Sequence, residues 1–122
     1  MARILVIDDE TPLRQNLVRF LRLKGHEVAE AADGEAGLIS VRQHPPELIF
    51  SDLKKPRMDG TALLMALQSD ATLRLIPFFF ISASAEPDRL EEGMRLGATG
   101  YLTKPFNFAQ ISTVLQSHLQ SK

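Results

Sequence analysis

Short apolar runs alternate along this chain with longer stretches whose apolar residues recur at helical spacing. The first run, Ile4-Leu5-Val6-Ile7, is rich in β-branched residues and apolar on both faces, the pattern of a buried parallel strand. Thr11-Pro12 then reads as a helix N-cap followed by proline at the first helical position. Leu13, Leu17, Phe20 and Leu21 make one stripe, and Gly25 closes that helix. Val28 and its neighbours predict a short second strand. Asp33-Gly34 opens a helix from about Glu35 to Gln43, which Pro45-Pro46 stops. Leu48-Ile49-Phe50 predicts a third strand ending at Ser51-Asp52. A helix from about Thr61 to Gln68 carries Leu63, Leu64 and Leu67. Pro77 begins the most apolar strand, Phe78-Phe79-Phe80-Ile81, which ends at Ser82, and a helix from about Pro87 to Leu96 stops at Gly97. Gly100 to Thr103 is a brief fifth strand, and Asn107 caps a last helix with Ile111, Val114, Leu115 and Leu119 inward.

Five strands alternating with five helices imply an α/β fold, an open parallel sheet covered on both faces. Right-handed crossovers leave few topologies, and the flavodoxin-like doubly wound order 2-1-3-4-5 is favoured at this size.

The length, 122 residues, suits one domain spanning 1–122, and 44% hydrophobic with 24% charged residues is ordinary globular composition. A net charge of −1 gives no general attraction to nucleic acid or anionic membrane. The absence of cysteine excludes disulfides and thiolate metal sites. The opening apolar run meets acid at Asp8, too soon for a signal-peptide core or a membrane span. A soluble, cytoplasmic domain is expected.

Doubly wound sheets form their sites beyond the carboxyl ends of the strands. The residues just after the apolar runs are Asp8-Asp9-Glu10, then Asp52, Ser82 and Lys104, with spacings 52 − 9 = 43, 82 − 52 = 30 and 104 − 82 = 22. Each group alone reads as an ordinary turn; together they predict several carboxylates, a hydroxyl and an ammonium at one end of the sheet. Crowded carboxylates call for a cation, and oxygen ligands without His or Cys favour Mg2+. Beside such an ion an exposed aspartate can act as a nucleophile toward a phosphoryl group, with Lys104 and Ser82 contacting its oxygens.

With those residues in place, the chain resembles the receiver domains of bacterial response regulators, the family that includes the chemotaxis regulator. The resemblance runs from Ile4 to about Leu119. It rests on Val6-Ile7-Asp8-Asp9-Glu10, Ser51-Asp52 with Pro56, Met58-Asp59-Gly60, Ile81-Ser82-Ala83, and Gly97-Ala98-Thr99-Gly100-Tyr101 leading to Lys104-Pro105-Phe106. It implies that Asp52 is the phosphoacceptor, that Asp9 binds Mg2+ directly and Asp8 mostly through water, and that the Lys54 carbonyl completes the metal shell. It also implies that Ser82 and Lys104 hold the phosphoryl group, that Lys104-Pro105 is cis, and that Tyr101 turns inward on activation. The implied donor is a sensor histidine kinase or a phosphotransfer protein. The implied output is a downstream effector or an attached domain, reached through the face of the fourth helix, fifth strand and fifth helix, roughly Pro87 to Leu119. That face is also where a homodimer would form.

Two positions depart from the usual pattern. Lys55 stands where the family most often has an apolar residue, so Lys54-Lys55 adds basic charge at the mouth of the site, and Ser84 is small and uncharged at a position that tunes phosphate lifetime. Phe78, Phe79 and Phe80 are expected in the core, and Arg89, Glu91, Glu92 and Arg95 on a solvated helix face. His26, His44 and His118 lie away from the strand ends and are assigned no chemistry. Among alternatives, a haloacid-dehalogenase phosphatase needs an acid two residues after its nucleophile, where this chain has Lys54. A nucleotide-binding domain would show a glycine-rich loop after the first strand, and none is present. A degenerate receiver would have lost some of the reactive positions, all of which are filled.

Overall fold

A computed structural model of the chain describes residues 2–8, 10–52, 60–82, 87–103 and 107–119, with the backbone alone at 60, 61, 82 and 87–90. In chain order the elements are β1 (Arg3–Ile7), α1 (Thr11–Leu23), β2 (Glu27–Ala31), α2 (Gly34–Gln43), β3 (Leu48–Asp52) and α3 (Gly60–Gln68). A 3-10 turn (Leu73–Leu75) precedes β4 (Phe78–Ser82), α4 (Pro87–Arg95), β5 (Gly100–Thr103) and α5 (Phe108–His118). The five strands form one parallel sheet in the order β2-β1-β3-β4-β5, the expected doubly wound topology.

The central strands are apolar on both faces because both are covered. One row, Ile4 and Val6 of β1, Leu48 and Phe50 of β3, and Phe79 and Ile81 of β4, packs against Leu17, Val18 and Leu21 of α1 and Ile111, Val114 and Leu115 of α5. The opposite row, Leu5, Ile7, Ile49, Phe78 and Phe80, packs against Leu38 and Val41 of α2 and Leu63, Leu64 and Leu67 of α3. Phe50 and Phe80 are fully buried, one on each face, and each contributes roughly 2–3 kcal/mol of apolar transfer energy. Helix α4 approaches closely enough that a Cβ at Gly93 would collide with the Phe80 ring. The edge strands are more open: β2 alternates buried Val28 and Ala31 with exposed Glu27 and Glu30, and β5 leaves Tyr101 and Thr103 exposed.

Helix ends follow local chemistry, with one shift from expectation. The cap of α1 is Glu10, in extended backbone and without a side-chain capping bond, so Thr11 is already helical. The Asp8 carboxylate accepts the Glu10 N–H at 2.8 Å and turns the chain there, which starts the helix one residue early. Asp33 caps α2 through the Ala36 N–H, and Asn107 and Gln110 form a reciprocal capping box at α5. At the C-terminal ends of α1 and α4 the chain turns through Gly25 (φ 93°) and Gly97 (φ 115°). The following amides, His26 and Ala98, return to the carbonyls of Leu21 and Gly93 at 3.2 and 3.1 Å. The 3-10 turn has no counterpart in the sequence reading. It is organised by Asp70, whose Oδ1 accepts the N–H groups of Thr72 and Leu73. Those bonds lower the Asp70 pKa.

Candidate functional site

The topology brings the ends of β1 and β3 side by side at the carboxyl edge of the sheet. The register pairs Ile4 with Leu48 and Ile7 with Ser51, so Asp8 and Asp52 each follow the last pair on neighbouring strands about 4.8 Å apart. Strand alternation continues the rows Ile4-Val6-Asp8 and Leu48-Phe50-Asp52, both on the α1 and α5 side. The two carboxylates are therefore neighbours, and both are buried: Asp8 is 1% exposed and Asp52 8%. Burying acids side by side is costly, and carboxylates held this way concentrate at functional sites.

The turn after β1 is tied from several directions. The Asp8 N–H donates to the Ala31 carbonyl of β2 at 3.1 Å. The Asp8 carbonyl accepts from Arg14 Nη1 at 2.6 Å, and Arg14 Nε reaches Glu30 at 3.1 Å. Ser51, fully buried and immediately before Asp52 in β3, donates its hydroxyl to the Asp52 carbonyl at 3.0 Å. The end of β4 joins the same edge, because Asp52 pairs with Ile81 and Ser82 follows, while Ser82 in turn pairs with Thr103 of β5. All helices of a parallel sheet start from this edge, so their positive N-terminal ends face it and favour anions there.

Among the residues anticipated from sequence, Asp8 and Asp52 come together and the Ser82 backbone lies at the same edge. Tyr101 is 47% exposed, on β5 opposite Phe80. Asp9, Lys54, Lys55, Ser84, Lys104 and the Lys104-Pro105 bond lie outside the described residues, as does the Ser82 side chain. Phe78, Phe79 and Phe80 are core residues, and Glu91, Glu92 and Arg95 are exposed, as expected. The histidines sit elsewhere: His26 Nδ1 accepts the Ala2 N–H at 3.2 Å, and His118 meets the Phe79 ring edge-on at 5.1 Å. Arg14 was not anticipated. Its only sequence signal is a first-turn position on the helix that follows the acidic turn, which ordinarily reads as a solvated face.

The strand order of this doubly wound sheet and the acids at its carboxyl edge are those of a receiver-type signalling fold. The chain belongs to the response regulator receiver domain family, whose profile matches residues 4–116. It is 35% identical over 120 residues to the transcriptional regulatory protein PrrA of Mycobacterium tuberculosis, covering 98% of this chain and 51% of that protein. It is 33% identical over 115 residues to PdtaR of the same species, covering 93% of this chain and 55% of that protein. The chain thus spans about half the length of these regulatory proteins. Among solved structures, chemotaxis protein CheY4 of Vibrio cholerae superimposes with a TM-score of 0.90 at 33% identity, over 98% of this chain and 99% of that one. The receiver domain of NtrX from Brucella abortus does so with a TM-score of 0.86 at 29% identity, over 98% and 99%. Receiver domains of this family generally bind Mg2+ at their acidic pocket and work with histidine kinases and output domains. The donor set here fits such an ion: two buried carboxylates, no cysteine in the chain, and histidines placed elsewhere. Among the described residues no helix is long and apolar enough to cross a membrane.

Proposed function

We propose that this domain accepts a phosphoryl group on Asp52, in a Mg2+-dependent reaction, from the phosphohistidine of a sensor kinase or phosphotransfer protein. The observation that carries this reading is the burial of Asp52 beside Asp8 at the ends of adjacent strands. An Asp52 carboxylate oxygen would attack the phosphorus in line, forming a P–O bond as the P–N bond to the donor imidazole breaks and the imidazole takes up a proton. Bound Mg2+, held by Asp8, Asp9, Asp52 and the Lys54 carbonyl, would supply neutralisation of the phosphoryl oxygens. Burial keeps Asp52 in a low-dielectric setting where the field of the surrounding groups acts strongly. Asp8, tied through its own backbone, would keep its carboxylate aimed without a reorganisation step. Ser82 and Lys104 would contact the transferred group.

The acyl phosphate carries about 1.5 to 2 negative charges and new acceptor oxygens where the carboxylate carried a single charge. Movement of Ser82 toward the new oxygens would open space for Tyr101, whose exposed ring starts on the outside of β5. The α4-β5-α5 face would then favour its effector, attached domain or second copy, a two-state change that a coupling of about 1–3 kcal/mol is enough to drive. Basic charge at Lys54 would alter phosphate lifetime; equal decay rates in wild type and Lys54→Ala would remove that part. Acetyl phosphate with Mg2+ tests the whole proposal. A single added phosphate that chelation of Mg2+ prevents supports it. Steady release of inorganic phosphate without a phosphorylated protein would indicate a hydrolase, and no reaction at all would indicate a binding-only domain.

A further inference from the structure

Arg14 stands in the first turn of α1 with its side chain only 16% exposed. One end of its guanidinium holds the Asp8 carbonyl at 2.6 Å, and the Nε holds Glu30 Oε1 at 3.1 Å. Glu30 projects from β2 opposite Val6 of β1, and Arg22 Nη2 approaches its other oxygen at 3.9 Å. Arg22 in turn donates to the Val28 carbonyl at 3.1 Å. The planar fork of an arginine suits this bridge, because its donors point at two acceptors in a fixed geometry that an ammonium cannot reproduce. The peptide leaving Asp8 is thus clamped from α1 and β2 at once, since the Asp8 N–H is already tied to Ala31.

We propose that Arg14 is a positioning residue for divalent-cation binding, setting the direction in which the chain leaves β1 at Asp8. This rests on the reading that the acids after β1 and β3 hold Mg2+. A cation this close could act in two ways, and they differ in sign. As a bare charge Arg14 would repel Mg2+, so its removal would tighten binding. As a clamp paired with Glu30, its removal loosens the ligands and weakens binding.

Titration calorimetry with MgCl2 on the intact chain decides between them. Arg14→Ala is expected to weaken Mg2+ binding about tenfold, the lower end for loss of a group that supports a metal ligand. Arg14→Lys should fall between that variant and wild type. Gly25→Ala, which lowers stability away from the site, should bind Mg2+ like wild type, so a merely structural loss is separated from a positional one. Unchanged or tighter binding by Arg14→Ala overturns the inference. If that variant does not fold, Arg14→Lys decides: several-fold weaker binding supports the clamp, and wild-type binding refutes it. Asp8→Asn distinguishes the two levels of the argument. If Asp8→Asn loses binding while Arg14→Ala keeps it, the Arg14 inference alone fails. If Asp8→Asn binds as wild type does, or wild type binds no Mg2+, the acid pair is not the cation site and both readings fail.

Discussion

The amino and carboxyl edges of the sheet are built from the same strands but satisfy their ends differently. At the amino edge, backbone bonds stitch neighbouring chain segments together: Glu27 to Ala2 at 2.9 Å, Glu47 to Arg3 at 2.7 Å, Ile49 to Pro77 at 3.0 Å and Thr99 to Phe78 at 2.8 Å. Helices α1 and α4 close there through Gly25 and Gly97, and the charged groups, such as Arg3 with Glu27, lie in solvent. At the carboxyl edge the chain buries Asp8 and Asp52 together. One edge satisfies its polar groups locally and serves the fold. The other concentrates acidic groups where the proposed chemistry takes place, so stability and chemistry should separate by edge when residues are changed.

The comparison breaks down entirely if the core under both edges is hollowed out. Phe50 is fully buried on the row that ends in Asp52, and Phe50→Ala should cost about 3–5 kcal/mol in urea unfolding, dragging cation binding down with it. Asp8→Asn sharpens the contrast. Mg2+ affinity should fall tenfold or more. The urea midpoint should stay near that of wild type, because the amide keeps the oxygen that accepts the Glu10 N–H. A fall in both would erase the distinction between the edges. Gly25→Ala is the converse: its φ of 93° disfavours a side chain although nothing lies within 4 Å, so about 1–2 kcal/mol of stability should be lost with the phosphorylation rate unchanged.

The smallest expected effect is one of pH at the amino edge. Burial lowers the His26 pKa from 6.5, and its neutral Nδ1 accepts the Ala2 N–H. The unfolded chain therefore takes up the proton first, so the His26 contribution is intact above pH 6.5 and is lost as pH falls through the lowered folded value. Urea midpoints of wild type and His26→Asn, followed downward from neutral pH, should converge. Parallel curves would show that His26 carries no such linkage.

Much of this contrast was legible in the residues themselves. Ile4 to Ile7 and Phe78 to Ile81 announce buried parallel strands because no polar residue interrupts them, and the rule for doubly wound sheets then assembles Asp8 and Asp52 without any knowledge of contacts. What was not legible depended on single side-chain bonds. Thr11 looks like the α1 cap, and only the Asp8–Glu10 bond shifts the start by one residue. The turn at Leu73–Leu75 is too short to show periodicity and depends on Asp70. Arg14 resembles any helix-surface arginine until Glu30, distant in sequence, is brought beside it.

The central claim is that Asp52 itself carries the phosphate, and mapping the bond tests it most directly. The protein, treated with acetyl phosphate and Mg2+, is reduced with borohydride, which converts an aspartyl phosphate to homoserine, and its peptides are sequenced by mass spectrometry. Homoserine at position 52, absent when Mg2+ is chelated, is the predicted result. A phosphorylated protein with aspartate intact at 52 and the modification elsewhere would contradict the account.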